Sequence, residues 1–123
     1  MEIRDRINIA KDFSEYPGGR YKSEGAYSGE DFLLNHLMGK LIGALVGGYL
    51  LEIDLTGMNG YPSSFLSGSF GKITYELGKV IGAKKASDVI RNLIVLKCDD
   101  SVTRIQAVES EIANPVTKTE KRK

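Results

Sequence analysis

Two short apolar runs, YLLEIDL (49–55) and NLIVLKC (92–98), constrain this chain more than any other feature. Each is rich in branched aliphatic side chains and too short for a helix with a buried face, which suits a pleated strand. The long segment between them has helical periodicity. No tight turn joins them, so they are expected to run parallel, with helices crossing over right-handedly. Residues 2–10, where Ile7 and Ile9 alternate with Asn8, predict a further half-buried or edge strand, and Gly19–Tyr21 could return as a short one beside it.

Helix signals fill the intervals. Ser28 can cap a helix with Asp31 three residues on, and Leu34, Leu37, Met38, Leu41, Ile42 and Leu45 repeat on one side before Gly47-Gly48 stops it. A second helix is predicted from about Ser63 to Ile81, with Gly82 beyond its end, and Ala86–Arg91 reads as a short helical turn. Ser101 can cap a last helix carrying Val102, Ile105, Val108 and Ile112, ended by Asn114-Pro115. The order predicts a small α/β sandwich: a mixed sheet with parallel central strands and crossover helices. At 123 residues this is one domain, residues 1–114, followed by a basic tail, 115–123, expected to be disordered.

Bulk properties exclude several classes. A net charge of +1 gives no electrostatic reason to bind nucleic acid or an acidic membrane. No apolar run approaches the ~18 residues of a membrane span. One cysteine, Cys98, and one histidine, His36, form neither a disulfide nor a metal cluster, so a cytoplasmic protein without metal or cofactor is expected. Cys98 reads as a buried small apolar residue and His36 as a solvated one. A Ser63–His36–Asp54 triad lacks a nucleophile-elbow motif, and no catalytic residue is assigned.

The predicted second helix divides into two stripes. Leu66, Phe70, Ile73, Leu77 and Val80 would pack on the sheet; Ser64, Gly68, Gly71, Tyr75 and Gly78 would face outward. Each interior glycine costs a helix about 1 kcal/mol against alanine, so a bare outward face calls for a use. A partner protein could approach such a backbone closely, with Tyr75 as anchor and Lys72 on the border. On this reading Gly71→Arg leaves the fold intact and abolishes docking. Pro62 sets the helix entrance, and Ser63 or Ser64 can cap the first turn or carry a phosphate at the positive end of the helix dipole.

The stretch LEIDLTGMNGYPSSFL (51–66) resembles the core signature of STAS domains, the anti-sigma factor antagonist fold. Asp54, Thr56 and Gly57 match it, and Ser63 falls on the serine phosphorylated in true antagonists. Pro62 and Phe65 stand where that signature has an acidic residue and a glycine. With PGGRY, YSGEDF and GYPSSFL, the chain is closer still to a STAS-like family of uncharacterised function, over most of residues 5–112. The resemblance implies a non-catalytic regulatory module that docks a protein, such as a histidine-kinase-like ATPase, through Pro62, Ser63, Ser64, Gly68, Gly71, Lys72, Tyr75 and Gly78, with Ser63 and Ser64 as candidate phosphorylation sites. Two other readings compete. One is a small-ligand or nucleotide-binding protein using Arg20, Ser63 and the helix N-terminus; the other is a homodimer formed through the glycine face.

Overall fold

Asn8 ends the first strand, sooner than its sequence pattern suggests. Its side chain accepts from the Lys11 amide at 2.8 Å, while its own amide donates to Asp12 Oδ2 at 2.8 Å, so the chain turns into a helix at once. In the computed structural model, which describes residues 1–60 and 62–114, the strand is β1, Ile3–Asn8, and the turn of helix after it is α1, Ile9–Asp12. The expected tail, 115–123, lies outside the described residues. The two apolar runs become β2, Leu50–Asp54, and β3, Ile94–Lys97. The sheet order is β1-β2-β3 with both pairings parallel. The α/β architecture with helical crossovers is therefore present. No strand forms at Gly19–Tyr21, so the described sheet is parallel throughout rather than mixed.

Residues 17–27 instead form a loop lying on the next helix. Gly18 donates to Tyr27 O (2.7 Å), Gly29 to Gly19 O (2.8 Å) and Glu30 to Arg20 O (2.9 Å), while Glu24 Oε1 accepts from the Arg20 and Tyr21 amides. These bonds hold the loop backbone against itself and against the next helix rather than in a sheet ladder.

Ser28 caps the next helix as expected, accepting from the Asp31 amide at 3.1 Å. That helix is α2, Gly29–Phe32, and it runs through one π turn, Leu33–Leu37, into α3, Met38–Gly47, which ends at Gly48 in the left-handed region (φ 72°). The predicted second helix is two helices, α4, Ser63–Gly68, and α5, Ile73–Ile81. Ser69 breaks it. Its buried hydroxyl donates to Phe65 O at 2.8 Å and the turn closes with Lys72 N–H on Ser69 O, a local alternative to the helical ladder. Gly82 ends α5 and opens α6, Ala83–Leu93, a full helix where the sequence suggested one turn. Ala86, Ile90 and Leu93 give α6 a buried face at helical spacing. Ser101 caps α7, Val102–Ala113, as expected.

Ile7, Leu51 and Ile53 project from one sheet face into a core with Phe32, Leu41, Phe65, Phe70 and Ile90. Alternation sends Arg6, Glu52 and Asp54 to the other face, where Arg6 and Glu52 pair at 3.1 Å.

Candidate functional site

Every strand ends, at its carboxyl edge, in a polar residue: Asn8, Asp54 and Lys97 are register partners. In open parallel sheets this edge is where ligands and partners are received. The chain leaves β2 here through residues 55–59, and this segment is braced from several sides. Asp54 Oδ1 accepts from the Thr56 amide (2.9 Å), Thr56 Oγ1 from the Asp99 amide (2.8 Å), and Asp100 Oδ2 from the Gly57 amide (3.2 Å). Asn59 donates to Glu15 Oε1 at 2.9 Å.

The strongest brace is Arg104 on α7, with a side chain only 15% exposed. It donates to Leu55 O (3.3 Å), Met58 O (2.6 Å) and Asp100 Oδ1 (2.7 Å). One guanidinium thus fastens the loop to the last helix. Burial works to lower the Arg104 pKa, but Asp100 and the Cys98 sulfur outweigh it and the group is held more firmly protonated. Cys98 is half-buried and its thiol donates to Asp100 Oδ1 at 3.1 Å, so it has a polar task rather than that of a small apolar filler.

The braced loop delivers the opening stretch of α4. Pro62 and Ser63 are exposed and Ser64 is half-buried. Neither hydroxyl caps the helix: the N-cap is Pro62, whose carbonyl receives the amides of Phe65 (3.0 Å) and Leu66 (3.2 Å). The capping role expected of Ser63 or Ser64 is therefore unfilled.

The glycines lie elsewhere than the single-helix reading places them. Gly68 and Gly71 are buried, and Gly78 and Tyr75 are half-buried. A Cβ on Gly68 would stand 2.7 Å from Arg20 O; on Gly71, 2.5 Å from Ser67 O and 2.9 Å from Glu111 Oε1. On Gly78 it would meet Ala83 Cα at 3.3 Å. The break at Ser69 shifts the helical phase, and the molecule itself fills the space that the glycines leave. The bare outward face is thus corrected, and with it the use of Gly71→Arg as a fold-neutral probe, since its side chain would displace backbone.

Arg20 packs against Gly68, at the far end of α4 from Ser63, beside Glu111 rather than at the helix entrance. Burial raises the Glu111 pKa, partly offset by the Arg20 charge. Lys72 donates to the Tyr21 hydroxyl at 3.3 Å and stands over its ring at 4.4 Å, and Lys79 stands over Tyr75 at 4.8 Å. His36 is only partly exposed to solvent. It is half-buried, 5.1 Å edge-on to Phe13 and 6.1 Å in a stack with Phe32. Asp54 is engaged by Thr56, so the described residues do not assemble a Ser63–His36–Asp54 triad.

A polar crevice of about 620 Å³ opens beside the β2 loop, lined by Asn8, Lys11, Glu15, Asp54, Thr56 and Asp99, among others. Sequence reasoning missed it; the polar residues that end β1 and β2 were its only signal. Partial burial works to raise the Asp54 pKa, but hydrogen bonds from Thr56 and Asn8 and the charge of Lys97 outweigh it and hold the group below the ordinary aspartate value. A carboxyl with a depressed folded-state pKa stabilises the fold above its unfolded value and loses that contribution as pH falls through the folded one. Urea midpoints should therefore separate wild type from Asp54→Asn at neutral pH and converge once the pH has fallen well below the ordinary aspartate pKa. Parallel curves down to that pH would show that Asp54 is not held as described.

No helix among the described residues is long and apolar enough to cross a membrane, and none of their His, Cys, Asp and Glu side chains gather as a group able to hold a metal. No protein-family model, curated protein or solved structure matches the chain.

Proposed function

We propose that this chain is a non-catalytic regulatory module that docks a protein partner through the entrance of α4, Pro62–Ser64. The supporting observation is the exposed Ser63, whose hydroxyl caps nothing, at the start of α4, four residues beyond a loop segment held by Arg104, Thr56 and Asn59. An exposed, structurally idle hydroxyl at a helix start suits recognition, because a phosphate there would change charge without unfolding the helix. The resemblance to anti-sigma factor antagonists points the same way and names the partner class, a histidine-kinase-like ATPase. Lys72 and Tyr75 lie beyond the Ser69 break, with Lys72 held on Tyr21 beside the Arg20 loop, and take no part in this entrance; Gly68 and Gly71 serve the packing of α4 against the Arg20 loop and α7.

The test is capture from source-cell lysate by wild type and by Ser63→Glu, with phosphosites read by mass spectrometry. The exposed substitution should move stability by no more than about 0.5 kcal/mol. A partner held by wild type and reduced at least tenfold on Ser63→Glu is the expected result. Equal recovery on both would sink this face.

A second reading has one observation in its favour, the crevice at the strand ends. Among the described lining residues, Glu15, Asp54 and Asp99 face it with Lys11 as the one ammonium, a balance that disfavours the phosphates of a nucleotide and favours a cationic or polyhydroxylated molecule. Arg20 would take no part.

A further inference from the structure

The two edges of the sheet are not alike. β1 exposes Arg4 and Arg6, ties Asp5 to Lys40 at 3.0 Å, and has a register irregularity between Ile3 and Asp5. Charges and bulges of this kind keep another strand from pairing. β3 has no such guard: Ile94, Val95 and Leu96 are half-buried, and only Lys97, at its end, is charged. Lys97 O accepts from Leu55 at 2.7 Å, so alternation along a parallel strand turns the Leu96 N–H and C=O away from β2. The Ile94 N–H is committed to Ile90 O, but its carbonyl faces the same open side.

Beside this edge, between α6 and α7, runs a groove of about 320 Å³ floored by Ile90, Ile94, Leu96, Ile105 and Ile112. Among the described residues its rim carries one cation, Arg91, and one carboxylate, Glu109. A groove made for an acidic or a basic peptide would have a rim of one sign. A rim with one of each is complementary to itself under a twofold rotation. The strand that fits here needs apolar residues on alternate positions and an outward amide and carbonyl at the same spacing, and β3 has both.

We propose that a second copy of this chain adds its β3 antiparallel to this edge, about a twofold axis at Leu96. The two Leu96 residues exchange N–H···O bonds, and Ile94 of each copy lies opposite Cys98 of the other. The result is a continuous six-stranded sheet with both helical layers on one side. This goes beyond the docking function, since it uses neither the β2 loop nor α4.

Light scattering and sedimentation across a dilution series test it first; the expected species is twice the 13.5 kDa chain mass. Leu96→Pro removes an outward N–H without touching the β2 ladder and should weaken association at least tenfold. Ile94→Cys tests the register independently. It sets a thiol opposite the native Cys98 of the other copy at about 5.5 Å between Cα atoms, within disulfide reach. Within one chain the two positions are roughly 13 Å apart along an extended strand, too far to bridge. Mild oxidation should give a covalent dimer with Ile94→Cys and none with Ile94→Cys/Cys98→Ser. A wild type that stays monomeric overturns the proposal and leaves the edge to residues beyond 114 or to another protein. A dimer that persists in folded Leu96→Pro, or that fails to cross-link, overturns it too; if Leu96→Pro does not fold, the cross-link decides.

Discussion

Gly29→Ala is expected to destabilise the protein by about 3 kcal/mol in a urea titration, the upper range for a forced insertion into a packed site. The added Cβ would fall 2.4 Å from Phe65 O and within 3.0 Å of the Gly68 backbone. Both obstacles are main chain, so no rotamer change relieves them. The Gly29 amide is also held by Gly19 O at 2.8 Å, which stops α2 from backing away. Three segments therefore meet where only hydrogen fits: the start of α2, the end of α4 and the Arg20 loop. Gly39→Ala is the matched control. Nothing lies within 4 Å of its Cβ position on α3, and replacing an exposed interior helical glycine should raise stability by about 0.5–1 kcal/mol. If Gly29→Ala lost less than the noise of such a titration, α2 and α4 could not be packed at this distance.

Arg104→Ala is the second large effect, also about 3 kcal/mol, because truncation leaves two carbonyls and a carboxylate without their shared donor. Leu55 O and Met58 O are reached by different nitrogens of the guanidinium, a fork that an ammonium does not reproduce, so Arg104→Lys should recover little. The loss should be local as well as global. With the clamp gone, residues 55–60 should become the first site of limited proteolysis, before the midpoint of unfolding. Recovery of wild-type stability by Arg104→Lys would show that charge, not the fork, holds the loop.

Both effects rest on contacts between distant segments, and this separates what could be read from the chain from what could not. The strands at 50–54 and 94–97 and the caps at Ser28 and Ser101 are local matters of periodicity and hydroxyl placement, and they stand where the pattern puts them. The break at Ser69 is different. A run from Ser63 to Ile81 satisfies helical spacing, but Gly71 is needed for a turn that closes against Ser67 and Glu111, a residue supplied by the last helix. The glycines looked idle because a sequence shows that a side chain is missing and not what occupies its place. Arg104 is a related case: its pairing with Asp100, four residues earlier, is open to sequence reading, but the acceptors that make it a clamp, Leu55 O and Met58 O, are carbonyls, which have no sequence signature. At the proposed docking site, the exposure of Pro62 and Ser63 followed from the turn chemistry, whereas the bracing beneath them did not.

A sheet built only of parallel pairs contains no hairpin. Each ladder joins segments that a crossover keeps far apart in the chain, so no two of these strands can pair at small cost in loop closure. The exception to this long-range character is the pair α5 and α6, which pack together and are joined through Gly82 alone. That helical hairpin is the part of the molecule able to form from neighbouring residues, and it lies between β2 and β3. Its collapse would draw the ends of those two strands toward one another, giving the central ladder a start that sequence distance alone denies it.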